Sequence, residues 1–345
     1  MKIVGCDLHT RYQQIAMLDK ETCELIERRL EHESGEARAF YASLAAPVRV
    51  GIEATGHTRW FERMLAELGH ELWIGDAAQI RAAMVRKQKT DARDATHVLD
   101  LLLGGRFPRI WRPTMAERDL RQLVWHRQKL VWMRNAVGNQ LHALAMGEGV
   151  CRKKKLFTKK GRVEMEGLAL DPWASRRRRE LLSMLDQMDA SLQEFDQAVA
   201  KQAEQNAAAV LLMTHPGVGP VTSLAFVLTI GPVGRFERSK QVVSYLGLNP
   251  REHSSGGRQR LGSISKQGNP MMRSLLVEAG HTAARLDAEL KQDYQRLKVR
   301  RGSGVAKVAI ARKLAVRMYW MLRSPASYAQ LVRMQGSPWA TLVKQ

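Results

Sequence analysis

Cysteine is nearly missing from the 345-residue sequence: Cys6, Cys23 and Cys151 are the whole complement, and no two form a C-x-x-C pair. That excludes a disulfide framework and a cysteine-based zinc module. Long apolar runs are missing too. No stretch reaches the roughly 18 residues a membrane-spanning helix requires, so no membrane partner is expected. Met1 leads straight into a strand-like segment without the apolar core and cleavage site of a signal peptide, and a cytoplasmic location is expected. Acids are the scarce charge. Asp plus Glu number 34 against 55 Lys plus Arg, for a formal net charge of +21 and a pI near 10.3. Such an excess speaks to polyanionic partners rather than to fold.

Four of the acids stand at informative places. Asp7 closes an apolar run over residues 2–7 and Glu53 closes another over 48–53. Each falls at the end of a short β-type segment, where an α/β sheet presents its polar chemistry. Asp91 and Asp94 are three residues apart in a segment of good helix formers running to Leu101, so both carboxylates leave one helix face. Four carboxylates brought together repel unless something positive lies between them. Hard divalent cations, Mg²⁺ or Mn²⁺, prefer such all-oxygen sites. In a basic protein this points to a metal centre for phosphodiester chemistry. Taken alone, a D-x-x-D on a helix is usually a solvated face; the ordered set of four carries the argument. His9, His57 and His97 each lie near a proposed acid and are candidates for proton transfer or for supporting a ligand.

The chain divides into three expected regions. Residues 1–110 alternate strand and helix: three strands, helix, strand, helix, strand, helix, with Pro108 and Pro113 closing the domain. Residues 111–207 read as a basic helical region. One helix carries Leu120, Leu123, Val124, Val131, Val137, Leu141 and Leu144. A second carries Leu181, Leu185, Met188, Leu192, Phe195 and Val199 at spacings 4, 3, 4, 3, 4, an a/d heptad seam. The seam fits an antiparallel hairpin within one chain or a zipper between two. Arg152, Lys153, Lys154 and Lys155, with Arg176, Arg177, Arg178 and Arg179, form two basic runs, and Trp125, Trp132 and Trp173 lie among or near them. Charge this dense is better tolerated against phosphate than merely solvated, and the indoles offer stacking surfaces.

Residues 208–345 form the third region. The segment 215–220, His-Pro-Gly-Val-Gly-Pro, resembles a helix-hairpin-helix in which Gly217 and Gly219 expose backbone N–H groups to phosphate; a plain tight turn is the alternative. A glycine-rich loop follows with Ser254, Ser255, Gly256 and Gly257, then Arg258, Arg260, Lys266 and a helix bearing Arg273. Residues 305–322 place Val305, Val308, Ala311, Ala315, Met318 and Leu322 on one face of a packing helix.

Strand–Asp, strand–Glu, then Asp-x-x-Asp on a helix resembles the RNase H-like fold of RuvC-type nucleases. The segments 52–56 (Ile-Glu-Ala-Thr-Gly) and 89–95 (Lys-Thr-Asp-Ala-Arg-Asp-Ala) are similar to those of the DEDD transposases of bacterial insertion sequences. The block Gly-Leu-x-Pro at 247–250, Ser-Gly at 255–256, Ile-Ser-Lys-x-Gly-Asn at 264–269 and Arg273 is similar to the C-terminal domain of that family. The resemblance implies an α/β RNase H-like (RuvC-like) domain, a helical coiled-coil hairpin and a mainly α-helical transposase domain. It implies a DNA recombinase in which Asp7, Glu53, Asp91 and Asp94 hold Mg²⁺ (or Mn²⁺) and Ser255, the serine before glycine, attacks phosphorus, with Ser254 as the neighbouring alternative. It further implies a structured noncoding RNA bridging the element ends and target DNA, and assembly as a homodimer or homotetramer. Two other functions compete: a metal-dependent junction resolvase or nuclease in which water attacks, and a non-enzymatic architectural nucleic-acid-binding protein.

Overall fold

The computed structural model describes residues 1–84, 90–151, 155–254, 258 and 260–333. The chain forms two compact units, 1–112 and 113–345.

The first unit is built on a five-stranded sheet. Its elements run β1 (Lys2–Leu8), β2 (Tyr12–Asp19), β3 (Leu25–Glu31), α1 (Glu36–Ala42), β4 (Arg49–Glu53), α2 (Arg59–Glu67), β5 (Glu71–Gly75), α3 (Ala77–Ala82) and α4 (Asp91–Leu103). The spatial order is β3-β2-β1-β4-β5. β1–β2–β3 is an antiparallel meander, while β4 and β5 join in parallel. Strand periodicity of two decides which residues face which layer. Val4, Cys6, Leu8, Val50 and Ile52 pack with Tyr41 of α1 and with Phe61 and Leu65 of α2. Ile3 turns to the opposite face, against Val98, Leu99 and Leu102 of α4. Gly5 and Asp7 share that face by alternation, as do Gly51 and Glu53.

The glycines explain how closely α4 lies. A Cβ on Gly5 would stand 2.2 Å from the Ala95 carbonyl oxygen and 2.4 Å from the Leu99 nitrogen. A Cβ on Gly51 would meet a Leu102 methyl at 2.7 Å. Only glycine lets the helix rest on the strand backbone here, and each of these glycines precedes a proposed acid by two residues. Thr90 caps α4, accepting from the Arg93 N–H at 3.4 Å, and Asp91 and Asp94 in the first turn suit the positive end of the helix dipole.

The second unit comprises α5 (Met115–Gly147), α6 (Lys159–Glu166), α7 (Pro172–Glu204), α8 (Ala207–Met213), α9 (Pro220–Ile230), α10 (Ser239–Tyr245), β6 (Pro250–Glu252), β7 (Leu261–Ile264), α11 (Pro270–Leu286), α12 (Ala288–Arg323) and α13 (Tyr328–Arg333). A capping box of Thr114 and Glu117 starts α5, and a proline opens α7. These two long helices run antiparallel. Arg127 meets Asp196 at 2.7 Å, Arg134 meets Asp189, and Arg177 donates to Gln140 at 3.0 Å. Leu181 and Leu185 of the heptad seam share a cluster with Val137 and Leu141 of α5, so the seam packs within one chain. α8 through α12 close around Leu224, Phe226, Leu276 and Leu314. α12 breaks at Gly302, whose backbone is non-helical; its charged first half, 288–301, extends well ahead of the apolar face at 305–322. β6 and β7 pair antiparallel as a separate ribbon. No helix among the described residues is long and apolar enough to cross a membrane.

Candidate metal centre and nucleic-acid surfaces

Asp7 is the next-to-last residue of β1 and Glu53 the last of β4, and β1 and β4 are parallel neighbours in register at Cys6 and Ile52. Both acids therefore lie at the same end of the sheet, on the α4 face. The Asp91 carboxylate is drawn to Asp7 through His9. The His9 Nε2 is 3.0 Å from Asp7 Oδ2 and 3.6 Å from Asp91 Oδ2. Ligand atoms of Asp7, His9 and Asp91 all lie within 4.8 Å of one another. Tyr12, at the start of β2, donates its hydroxyl to Asp91 Oδ2 at 2.8 Å. Its ring stacks on His9 with centroids 4.7 Å apart, and the Arg29 guanidinium covers the ring at 3.7 Å.

The electrostatics match an acid-rich cleft. Burial raises the Asp7 pKa; His9 opposes this by charge and hydrogen bond, and the Asp94 and Asp91 charges push it further up. Asp94 thus lies within electrostatic reach of Asp7. Glu53 is engaged differently, with the exposed Arg81 guanidinium 3.6 Å away. The other two histidines go elsewhere: His57 Nδ1 meets the Thr55 hydroxyl at 3.0 Å, and His97 Nε2 meets the Ile80 carbonyl at 3.0 Å. Two carboxylates and an imidazole gathered at one half-buried corner, with the Asp94 charge in reach of Asp7, make a donor set that a hard divalent cation fits. Tyr12 is the participant the sequence did not announce. Its only signal is an aromatic opening the strand antiparallel to the one that carries Asp7.

Ser255 lies outside the described residues, as do Arg152, Lys153 and Lys154. Of its neighbours, Ser254 donates its hydroxyl to the Glu252 carboxylate at 2.6 Å and accepts from the Arg260 N–H at 3.1 Å, closing the ribbon on itself. Arg258 and Arg260 are exposed, and Lys266 adopts a left-handed backbone with φ 58°. In the hairpin, Lys155, Arg176, Arg177 and Arg179 are exposed. Arg178 is committed to its own chain, donating to the Met165 and Leu168 carbonyls at 3.2 and 2.7 Å. Trp173 is 78% exposed with Arg176 over its ring at 5.8 Å. Gly217 has φ 88°, and a Cβ there would stand 2.5 Å from the Ala283 nitrogen, so this glycine answers to packing against α11. Gly219 is exposed, with open space where a Cβ would go, at the start of α9.

Comparison with known proteins supports both halves. Residues 4–147 match the DEDD-type IS110 transposase model, described as "Transposase". Residues 209–295 match the model described as "Transposase IS116/IS110/IS902 family". A "Probable family 20 transposase" of Pseudomonas aeruginosa is 28% identical over 336 residues, 93% of this chain and 96% of that one. The "Transposase for insertion sequence element IS1111A" of Coxiella burnetii is 27% identical, over 95% of this chain and 91% of its own length. A "Pilin gene-inverting protein" of Moraxella bovis is 30% identical over 125 residues, 36% of this chain and 38% of that one.

Proposed function

Since the chain belongs to the IS116/IS110/IS902 family of transposases, we propose that it cuts and rejoins DNA by serine attack at a divalent-metal centre. The observation that carries this reading is the convergence of Asp7, His9 and Asp91, from two elements more than eighty residues apart, on one corner. Asp7, Glu53, Asp91 and Asp94 would hold one or two Mg²⁺ (or Mn²⁺) ions. Such ions, when bound, screen the phosphate charge and stabilise the transition state. His9, whose Nε2–H donates to Asp7, orients that carboxylate. Tyr12 positions Asp91.

Ser255 supplies the nucleophile. Its Oγ forms a bond to phosphorus as the bond from phosphorus to the leaving deoxyribose oxygen breaks; the serine proton passes to a base, and a proton goes to the leaving oxygen. The resulting phosphoserine conserves the phosphodiester for rejoining to another strand. Serine needs such assistance because its hydroxyl is a weak nucleophile at neutral pH. Ser255 directly precedes Gly256 in the Ser-Gly step of the C-terminal block, which supports it as the attacking residue. Arg176, Arg177, Arg179, Lys155, Arg258, Arg260 and Lys266 would contact phosphate, as would Gly219 through its backbone. The element ends and target DNA would be bridged by a structured noncoding RNA, with a homodimer or homotetramer as the working assembly.

Incubating the full chain with labelled element-end DNA and Mg²⁺, then denaturing, tests the serine step. The wild type and Ser254→Ala should leave a covalent protein–DNA adduct, and Ser255→Ala should leave none. Adducts persisting in Ser255→Ala would refute the assignment; cleavage without any adduct would favour water as the nucleophile.

A further inference from the structure

The second unit holds a cavity of about 630 Å³ far from any acid of the metal centre in sequence, within the size range of small-molecule sites. Trp125, Phe236 and Tyr245 supply aromatic surface. Gln241, Gln267 and Asn269 supply side-chain amides, and Arg121 supplies positive charge. Part of its wall, Gln267, Gly268 and Asn269, belongs to the C-terminal sequence block, and Gly247 of the same block packs behind Gln267.

That wall is rigid by construction. A Cβ on Gly247 would fall 2.1 Å from the Gln267 carbonyl oxygen, and one on Gly268 would fall 2.2 Å from the Tyr245 carbonyl oxygen. Both glycines have positive φ, 66° and 68°. The two loops therefore cross in backbone contact. Arg273 staples them, donating to the Leu246 carbonyl at 3.2 Å and also to the Gln267 carbonyl. Asn269 fixes the far side by capping α11 through the Met271 and Met272 N–H groups at 2.9 and 3.2 Å. A site fixed before its ligand arrives spends little affinity on ordering.

Tyr245 is the feature that selects a ligand class. Its ring lines the cavity yet stays 41% exposed, while its partner Phe236 is buried. The two rings stand 5.5 Å apart at 60°, and the Arg235 guanidinium lies 4.9 Å from one centroid and 5.2 Å from the other. An open aromatic face near a cation, beside the amide N–H groups of Gln241 and Asn269 whose oxygens already cap helices, complements a flat heterocycle on a polyanion. A paired base within a duplex offers neither its face nor its pairing edge.

We propose that this cavity receives one unstacked nucleobase from a single-stranded stretch of the nucleic-acid substrate, with Tyr245 as the stacking platform. The proposal rests on the chain acting on nucleic acid but is independent of which group attacks phosphorus. The test is fluorescence anisotropy of the full chain at one salt concentration, with fluorescein-labelled oligothymidylate, oligouridylate and a DNA duplex of equal length. Tyr245→Ala should weaken at least one of the single strands by about tenfold, Tyr245→Phe should not, and duplex affinity should stay within about twofold. The single strand that suffers, DNA or RNA, identifies the source of the base. Ser244→Trp, which fills the cavity from an exposed wall position, should reproduce the loss. Unchanged single-strand binding in both Tyr245→Ala and Ser244→Trp would overturn the proposal, as would an equal loss on the duplex. Because the readout is binding rather than cleavage, its failure and the failure of serine attack are told apart.

Discussion

Asp7 and Asp287 are both carboxylates withdrawn from water, one in each unit, and their surroundings drive them in opposite directions. Asp7 is raised by burial and by two neighbouring acids, with His9 opposing. For Asp287, burial alone would raise the carboxyl, but the Leu290 N–H at 2.7 Å, the Tyr328 hydroxyl and the Arg317 guanidinium at 3.1 Å hold it below its ordinary value. Arg317 also reaches Glu289 at 2.7 Å and the ring of His215 at 3.4 Å. The second arrangement pairs its buried carboxylate with a buried guanidinium and ties α12 to α13 and to the segment after α8. The first concentrates negative charge and leaves it for something else to balance. Charge satisfied from within marks structure, and charge left in excess marks chemistry.

The largest effect expected from breaking this contrast is on Asp7. Asp7→Asn removes a ligand charge and should lower DNA cleavage by about three orders of magnitude or more, with the thermal midpoint unchanged or slightly raised because repulsion is relieved. Asp287→Ala should do the reverse. It leaves the buried Arg317 without its central partner, a loss of about 3–5 kcal/mol read from urea unfolding. Catalysis at a temperature where the variant remains folded should survive. A stable, inactive Asp287→Ala or an unfolded Asp7→Asn would dissolve the distinction.

Acid titration sharpens it further. Burial, with help from the Arg317 charge, lowers His215 from 6.5 to about 4 against the opposing Pro216 hydrogen bond and Asp287. The His215 Nδ1 contact with the Pro216 carbonyl at 2.9 Å fits a neutral ring whose Nε2 faces Arg317. As pH falls below about 6.5 the unfolded chain binds this proton first, so stability drains away down to about pH 4. Across that interval the loss is on the order of 3 kcal/mol. Asp287, held low in the folded state, adds a second loss as pH falls further through the carboxylate range. Urea midpoints between pH 7 and pH 4 should therefore decline, and His215→Gln should flatten the upper part of the decline. A midpoint that is level with pH in the wild type would show that the ring titrates alike in the folded and unfolded chains.

Much of the first unit was legible because its physics is local. Short continuous apolar runs mark β1 and β4, and a 3.6-residue apolar spacing marks α2. The place of Asp7 and Glu53 at strand ends, and of Asp91 and Asp94 on one turn, follows from the same local patterns. What stayed hidden depends on long-range contact. Tyr12 meets Asp91 across 79 positions, and no local pattern encodes that. Four consecutive arginines read alike, yet Arg178 is consumed by carbonyls of its own chain while Arg179 is exposed. The a/d spacing of α7 could not say whose helix fills the seam; α5 of the same chain does.

Tyr12 offers the finest probe of the contrast, since it is a neutral donor directed at the acid cluster. Its hydroxyl is bound to the same Asp91 oxygen that approaches His9, and Asp91 raises its pKa by that hydrogen bond. Ring stacking on His9 and the Arg29 guanidinium above it fix the phenol whether or not the hydroxyl is present. Tyr12→Phe therefore removes one hydrogen bond and little packing. With that bond gone, Asp91 gains rotamer freedom, and holding a cation requires the freedom to be lost again. The half-saturating Mg²⁺ concentration for cleavage should rise by about threefold to tenfold, while the rate at saturating metal changes by less than about twofold. A positioning residue predicts that split. An unchanged metal dependence with a reduced saturating rate would instead place Tyr12 in the chemical step.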